Sequence, residues 1–498
     1  MSMQEVPMAS SDPSRQAIEG LAPERLWNFF LDLSRIPRES GNEKQVRTYL
    51  VNFAKQHGFA YHVDTVGNLI IKAPATKGME HVPSLALQGH MDMVCVKDEG
   101  VDHDFATDPL TLVREGDWLK AKGTTLGADN GIAIALMLDL LTDETARHGP
   151  IEAIITVSEE TGLEGAFGLD ASKIDSRKML NLDSEEEGVF YIGCAGGVET
   201  NASIPLERTP LQNGEILCEA TVDGLHGGHS GGDIHLQRAN SIVSLARFLR
   251  AAADEMELRL VSINGGTKRN VIPSVCKAVV AIRPAKLGRI MEIAAATELV
   301  LKKEYAHAES GLRLSCNPSR IQATDACTVH QSLSVINALL LAPHGVERMS
   351  QTIAGMVETS SNLASIRTTD SSFNIVTSHR SSVITSRDMV ARKAVLAFET
   401  AGAKCKMENP YPSWTPDPSS PLAGFCAEAW ETHMGGKAKI TAIHAGLECG
   451  IINSLVEGMD SVSLGPTLHG VHSTKERVSI SSTEKIAKFL RALCPTIA

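Results

Sequence analysis

Apolar residues recur at helical spacing from Ala22 to Ser34, through Leu26, Phe29, Phe30 and Leu33, and the same period returns from Glu43 to Lys55. Both stretches predict amphipathic helices. Extended runs follow at Asn68–Ile71 and Ser84–Gln88, then a helix over Gly131–Leu141 and strands over Ile151–Val157 and Met179–Leu182. Strands alternating with helices predict an α/β fold: a mixed, largely parallel sheet sandwiched by helices. The pattern changes between Gly196 and Lys406. There, two-residue alternation at Leu217–Val222 and Cys276–Ile282 is interleaved with helical stretches Ala239–Met256 and Ile290–Glu304, as in a separate α+β domain. The Pro-rich segment Asn409–Pro421 reads as a connector. After it, Lys439–His444, Asp460–Leu464 and a helix over Thr483–Leu493 resume the first style. The simplest organisation is one α/β domain interrupted by an α+β insertion. A short likeness between Lys268–Ile272 and Ser360–Ser365 is too slight to define a repeat.

Length supports two domains, since 498 residues exceed what one core usually serves. A net charge of −12 argues against a nucleic-acid surface or an anionic membrane surface as the main partner. Ten cysteines without a CxxC pair exclude a zinc ribbon and give no disulfide framework. Met1–Gln16 has no apolar run, so it reads as neither signal peptide nor anchor, and no later stretch offers the ~18 apolar residues of a spanning helix. A cytoplasmic protein is expected.

Candidate chemistry gathers where strands are expected to end, the usual place for ligands on such a sheet. Leu85-Ala-Leu-Gln-Gly-His90-Met-Asp92 delivers an imidazole, with a carboxylate two residues on that can take its other N–H. Gly127-Ala-Asp129-Asn-Gly131 brackets an Asp before a helix, and alone reads equally as a helix cap. Glu159 and Glu160 follow an apolar strand; Asp183 opens the acidic cluster Asp183-Ser-Glu185-Glu186-Glu187. Each could be a solvated turn. His469 and His472 lie near the C-terminus, and either alone is an ordinary surface residue. Taken together, hard carboxylates and imidazoles form the ligand set of a dinuclear hydrolytic centre.

The order of these segments resembles the zinc aminopeptidase and aminoacylase clan with an inserted lid domain, and within it the Xaa-His dipeptidase branch. The resemblance spans nearly the whole chain from about Leu26. It includes Ile36-Pro-Arg-Glu-Ser, Val66-Gly-Asn, Gly224-Leu-His-Gly-Gly-His229-Ser-Gly, Gly265-Gly-Thr-Lys-Arg-Asn270-Val-Ile-Pro273, His444-Ala-Gly-Leu-Glu448-Cys-Gly450 and the terminal Gly465-Pro motif. It implies a discontinuous catalytic domain over residues 17–195 and 408–498, with a lid and dimerisation domain over 196–407. Two divalent metal ions per subunit are implied, zinc first with manganese or cobalt as alternatives. His90 and Asp183 would complete one site, Glu160 and His472 the other, and Asp129 would bridge them. Glu159 would be the general base toward a metal-bridging water, Asp92 the orienting carboxylate, and His229 the lid histidine holding the oxyanion in its own or a partner subunit's site. Asn270 and Arg380 would grip the substrate's C-terminal carboxylate, with Arg283 competing.

The implied activity is hydrolysis of dipeptides with a C-terminal His, including β-alanyl-histidine, by a homodimer. A tripeptidase or an N-acyl-amino-acid deacylase of the same clan is the sibling reading, and a non-catalytic peptide- or metal-binding homologue the reading of another class. The chain departs from the family pattern at Thr474-Lys475, where Pro-Asp is expected after the His-Ser pair, and at Ser158, where an acidic residue often precedes the Glu pair. His469 therefore stands as a rival ligand to His472.

Overall fold

The strand Leu85–His90 is buried along its whole length, which explains why it reads as a continuous apolar run and not an alternating one. In the computed structural model, which describes residues 12–497, it is a central strand of an eight-stranded sheet. The N-terminal stretch through Ser11, part of the segment read as neither signal nor anchor, lies outside the described residues. In spatial order the strands are Ala60–Val63, Leu69–Ala73, Ile151–Thr156, Leu85–His90, Lys178–Asn181, Asp460–Ser463, Val189–Cys194 and Lys439–Ile443. The sheet is parallel from Ile151–Thr156 across to Asp460–Ser463. The pairings of Ala60–Val63 with Leu69–Ala73, of Leu69–Ala73 with Ile151–Thr156 and of Asp460–Ser463 with Val189–Cys194 are antiparallel, so it is mixed more evenly than the sequence suggested. Antiparallel edge strands arise because short connections return the chain beside itself, as at Val63 to Leu69.

The helix Ala128–Leu141 is apolar on all sides and buried nearly throughout. It packs on Leu85–His90 and against the amphipathic helices Glu24–Ser34 and Ile480–Leu493. A small four-stranded sheet, ordered Leu468–His469, Arg477–Ser479, Trp118–Ala121, Leu112–Glu115, anchors both ends of the loop that carries His472. Among the described residues no helix is long and apolar enough to cross a membrane.

The chain divides into two compact units, the first comprising residues to Gly193, Pro416–Ala442 and Glu448 onward, the second Cys194–Thr415 with Ile443–Leu447. The expected return to the first domain at 408 falls inside the strand Lys404–Tyr411. That strand pairs with Gly196–Pro205 through Met407 opposite Thr200 and Tyr411 opposite Gly197, so the insertion keeps the chain longer than its polar composition indicated.

Within the second unit a repeat emerges that the short sequence likeness does not mark. Ile216–Asp223, Ser241–Ala253, Arg259–Gly265, Cys276–Ile282, Leu287–Glu304 and Arg313–Pro318 form a strand–helix–strand–strand–helix–strand half. Gly196–Pro205, Val329–Leu341, Val357–Thr368, Ser372–Ser381, Ile384–Glu399 and Lys404–Tyr411 form another, and the first half is inserted after the first strand of the second. Both use the split βαβ strand order, and their second strands meet to make one sheet. The seam is thin. One ladder pair, Gly265 with Ile366, is supplemented by Thr368, whose hydroxyl and amide bond to Ile263 and Asn264. One apolar core, with Phe248, Ile263, Phe373 and Phe398, underlies both halves.

Candidate metal centre

The parallel strands of the first unit end on one side, and there the candidate ligands meet. His90 is the last residue of its strand. Asp129 follows Gly127, which adopts a left-handed φ of 66°, and neither Asp129 nor Asn130 is helical although both lie within the span Ala128–Leu141. The cap reading of Asp129 therefore fails: the cap position is Gly127, and the Asp129 side chain turns to the histidines. His90 Nε2 lies 3.1 Å from Asp129 Oδ1 and 3.5 Å from Asp183 Oδ1. His472 Nε2 lies 3.1 Å from Asp129 Oδ2 and 3.0 Å from Glu160 Oε2. Asp129 thus turns one oxygen toward each histidine, as a bridging carboxylate must. Three ligand groups cluster within 4.8 Å: His90, Asp129 and Asp183; Asp129, Glu160 and His472; and His90, Glu159 and Glu160.

Asp92 organises this edge from beneath. Fully buried, it lies 3.3 Å from His90 Nδ1 and accepts hydrogen bonds from the Ser40 hydroxyl (2.7 Å) and from the backbone N–H groups of Glu159 (3.1 Å) and Glu160 (3.3 Å). One carboxylate therefore orients the imidazole and fixes the turn that carries both glutamates. Burial works against its ionisation, yet these partners hold it down at about 2.

The other carboxylates diverge. Burial pushes Asp183 up to about 7, with His90 opposing and Asp129 and Glu160 adding to the rise. Burial also raises Glu159 well above the usual range. Asp129 moves down, because its bonds to His472 and His90 outweigh its burial. Bonding to Asp129 and Glu160 lifts His472 to about 11. So many carboxylates at close range demand positive charge. Glu160 Oε1 is buried with no hydrogen-bond partner, and mixed N/O donors suit a borderline divalent ion, so these residues fit the implied metals.

The rival His469 is elsewhere. It pairs with Arg477 in the small sheet, with its ring 5.1 Å from that of Trp118. His229, Asn270 and Arg380 belong to the second unit. His229 Nδ1 accepts N–H groups from Gly231 (3.3 Å) and Gly232 (2.9 Å), so a neutral ring carries its proton on Nε2. Desolvation and then Arg380 lower its pKa, favouring that neutral form. Arg380 donates to the Tyr411 hydroxyl at 2.9 Å, while its Nε is buried without a partner. Asn270 is exposed, and its carbonyl accepts the Ser230 N–H at 2.8 Å, which ties it to the His229 turn. Arg283 is not part of this group. It follows the strand Cys276–Ile282, at the end remote from Cys276 and its partner Gly265, roughly 20 Å along that strand.

Sequence reasoning gave no role to Glu476, Tyr411 or Glu448. Glu476 accepts backbone N–H groups from Leu126 (2.7 Å), Gly127 (3.0 Å) and Asp129 (3.2 Å). Glu448 accepts from Thr156 Oγ1 (2.7 Å) and Gln88 Nε2 beneath the strand ends. Glu448 stood in a segment quoted for the resemblance, but an isolated Glu signals nothing about the groups it will hold.

The family model described as peptidase family M20/M25/M40 matches residues 86–495. The chain belongs to this family. It is 40% identical over 463 residues to the cytosol non-specific dipeptidase of Escherichia coli K12, covering 93% of this chain and 95% of that protein. The crystal structure of aminoacylhistidine dipeptidase from Vibrio alginolyticus superposes with a TM-score of 0.89 at 38% identity, over 97% of this chain and 98% of that one. A tripeptidase from Staphylococcus aureus shares the fold at 18% identity, with a TM-score of 0.57 over 96% and 99% of the two chains. The mixed α/β architecture and the family expected from sequence are thereby borne out, and the chain is a peptidase.

Proposed function

We propose that the chain is a dinuclear, metal-dependent dipeptidase that cleaves unblocked dipeptides and prefers a C-terminal His. The observation carrying this reading is the division of the Asp129 carboxylate between His90 and His472, 3.1 Å from each. His90 with Asp183 would hold one ion and Glu160 with His472 the other. Two bound divalent ions, zinc by preference, would lower the pKa of a water and polarise the scissile carbonyl. Glu159 takes the proton of the attacking water and returns it to the leaving amine, a role that fits a carboxylate standing beside His90 and Glu160. By the family resemblance, His229 would offer its Nε2–H to the oxyanion, and Arg380 with Asn270 would hold the substrate carboxylate. A buried guanidinium edge without a partner supports that assignment of Arg380.

Two of the matched relatives carry different breadths in their names, a non-specific dipeptidase and an aminoacylhistidine dipeptidase, so the His preference is the finer part of the proposal. A cytoplasmic location and pairing of two copies through the inserted unit rest on the family resemblance. The test is turnover of Ala-His, β-alanyl-histidine, Ala-Ala-Ala and an N-acetyl amino acid side by side, before and after chelation, with zinc, manganese or cobalt restored. Chelation should abolish cleavage of Ala-His and re-addition recover it. Activity on the acetylated substrate alone would replace the dipeptidase reading with a deacylase, and binding of metal without turnover would make the chain a non-catalytic homologue. Sedimentation of the same preparation reads the pairing.

A further inference from the structure

Arg38 is 1% exposed, yet among the described residues no carboxylate touches its guanidinium. Buried arginines ordinarily meet an anion. Among the described residues this one donates to carbonyls alone: Nη1 to those of Met91 (3.2 Å) and Asp92 (3.1 Å), Nη2 to that of Gly127. Its Nε has no partner, and its countercharges act through space from Glu476, Asp92 and Asp129. The two segments it joins are the exit from the His90 strand and the loop that presents Asp129.

We propose that Arg38 is a positioning residue for the peptidase reaction, a planar cross-brace that sets the separation of His90 and the bridging carboxylate Asp129 and thereby the fit of the second metal ion. The inference rests on the dinuclear reading above. Three further observations support it. The two peptide units flanking Gly127 are each held, the N–H of the first by Glu476 and the C=O of the second by Arg38, so the turn before Asp129 is fixed at both of the glycine's polar atoms. The backbone N–H of Met93 donates to the Arg38 carbonyl at 3.1 Å, so backbone and side chain grip the same strand exit. Lastly, the glycines on either side of Asp129 make room for the guanidinium: a Cβ on Gly127 would come within 2.4 Å of Nη2, and one on Gly131 within 2.6 Å. A lysine there would keep the charge but not the fork that spans two loops. Coordination tolerates only ~0.5 Å of misplacement, so a slackened brace reaches the metals before it reaches the fold.

The experiment compares wild type, Arg38→Lys and Gly131→Ala. Gly131 is helical without a positive φ, so alanine is conformationally acceptable there and acts by displacing the guanidinium. Calorimetric titration of the metal-free proteins with zinc should show the weaker of two binding events loosened roughly 10–100-fold in both variants. At limiting zinc, kcat on Ala-His should fall by a similar factor with KM unchanged, and circular dichroism should remain that of wild type. Zinc affinity and kcat equal to wild type in either folded variant would overturn the proposal, as would loss of fold in both, which would make Arg38 a structural residue only. Failure of wild type itself to bind two ions would instead reject the dinuclear reading.

Discussion

Replacing Glu159 by Gln isolates the proton-transfer step, because the amide keeps the shape of the side chain and removes only its basicity. Positioned general bases contribute about 10²–10⁴-fold. At 1.36 kcal/mol per tenfold, the loss of transition-state stabilisation would be about 2.7–5.4 kcal/mol, read as a fall in kcat with KM little changed. Metal content should stay at the wild-type level. Glu159 shares a group with His90 and Glu160, but the pairs around Asp129 are complete without it. The fold should not suffer either. Burial first, then Asp183, Glu448 and Glu160 against the pull of His90, raise the Glu159 pKa, so the neutral side chain is the one the metal-free folded state favours. The sign follows from linkage. A raised carboxyl pKa means the folded chain holds a proton that the unfolded chain has released, so wild type loses stability relative to the variant as pH climbs from about 4.3, until the folded value is passed. Metal-free Glu159→Gln should therefore melt no lower than wild type at neutral pH. The assay is Ala-His turnover beside elemental analysis of the same reconstituted sample. Undiminished kcat would refute the base, and loss of an ion would make Glu159 a ligand.

His472→Ala should reduce bound metal to about one ion per chain and lower kcat/KM by more than the ~100-fold typical of an outer-sphere change. His469→Ala should leave metal and turnover alone and cost only about 0.5–1.5 kcal/mol of ring contact with Trp118, read by thermal melting. Arg491→Ala strips a partner from Asp139, 1% exposed, and from Asp143 at 2.6 Å, while Arg25 remains at 2.9 Å from Asp139. The expected loss is about 2 kcal/mol, below the ~3–5 of a buried charge left wholly unpaired, by urea denaturation. Burial opposes ionisation of Asp143, but Thr145 and Arg491 win and depress its pKa, so this stability exists above the unfolded carboxylate value and fades as pH falls; the variant's deficit should be widest near neutral and shrink below about pH 4.

The parts legible in the sequence were those encoded by local pattern. Leu85–His90 announced a strand by its apolar run, and its terminal His followed because a buried strand must end where the sheet meets solvent. The inserted α+β unit was visible as a change from continuous to alternating runs. Its internal repeat was not, since the two halves share strand order and not residues, and one interrupts the other. The domain boundary at 408 was set too early for a related reason. Lys404–Tyr411 is an exposed edge strand rich in polar residues, so nothing in its composition distinguishes it from a loop until Gly196–Pro205 is found beside it.

The site itself divides along the same line. Ligand identities could be listed because each stands at the end of a recognisable element, but the choice between His472 and His469 depends on which of two neighbours the small sheet claims. His469 is fixed by pairing with Arg477, and His472, with φ 59°, sits in the loop between those strands. Gly127 shows why the supporting residues stayed hidden. From sequence it is a breaker ahead of a helix; in the fold it is also a clearance for Arg38, 89 residues earlier in the chain. A glycine records that something comes close without recording what. The polarity of the surroundings supplies the rest: Glu476 takes its N–H and Arg38 its C=O, so opposite charges hold the two peptide units that flank its Cα. Such an arrangement depends on three segments far apart in sequence, and a change in any one should disturb the same loop and, through it, Asp129.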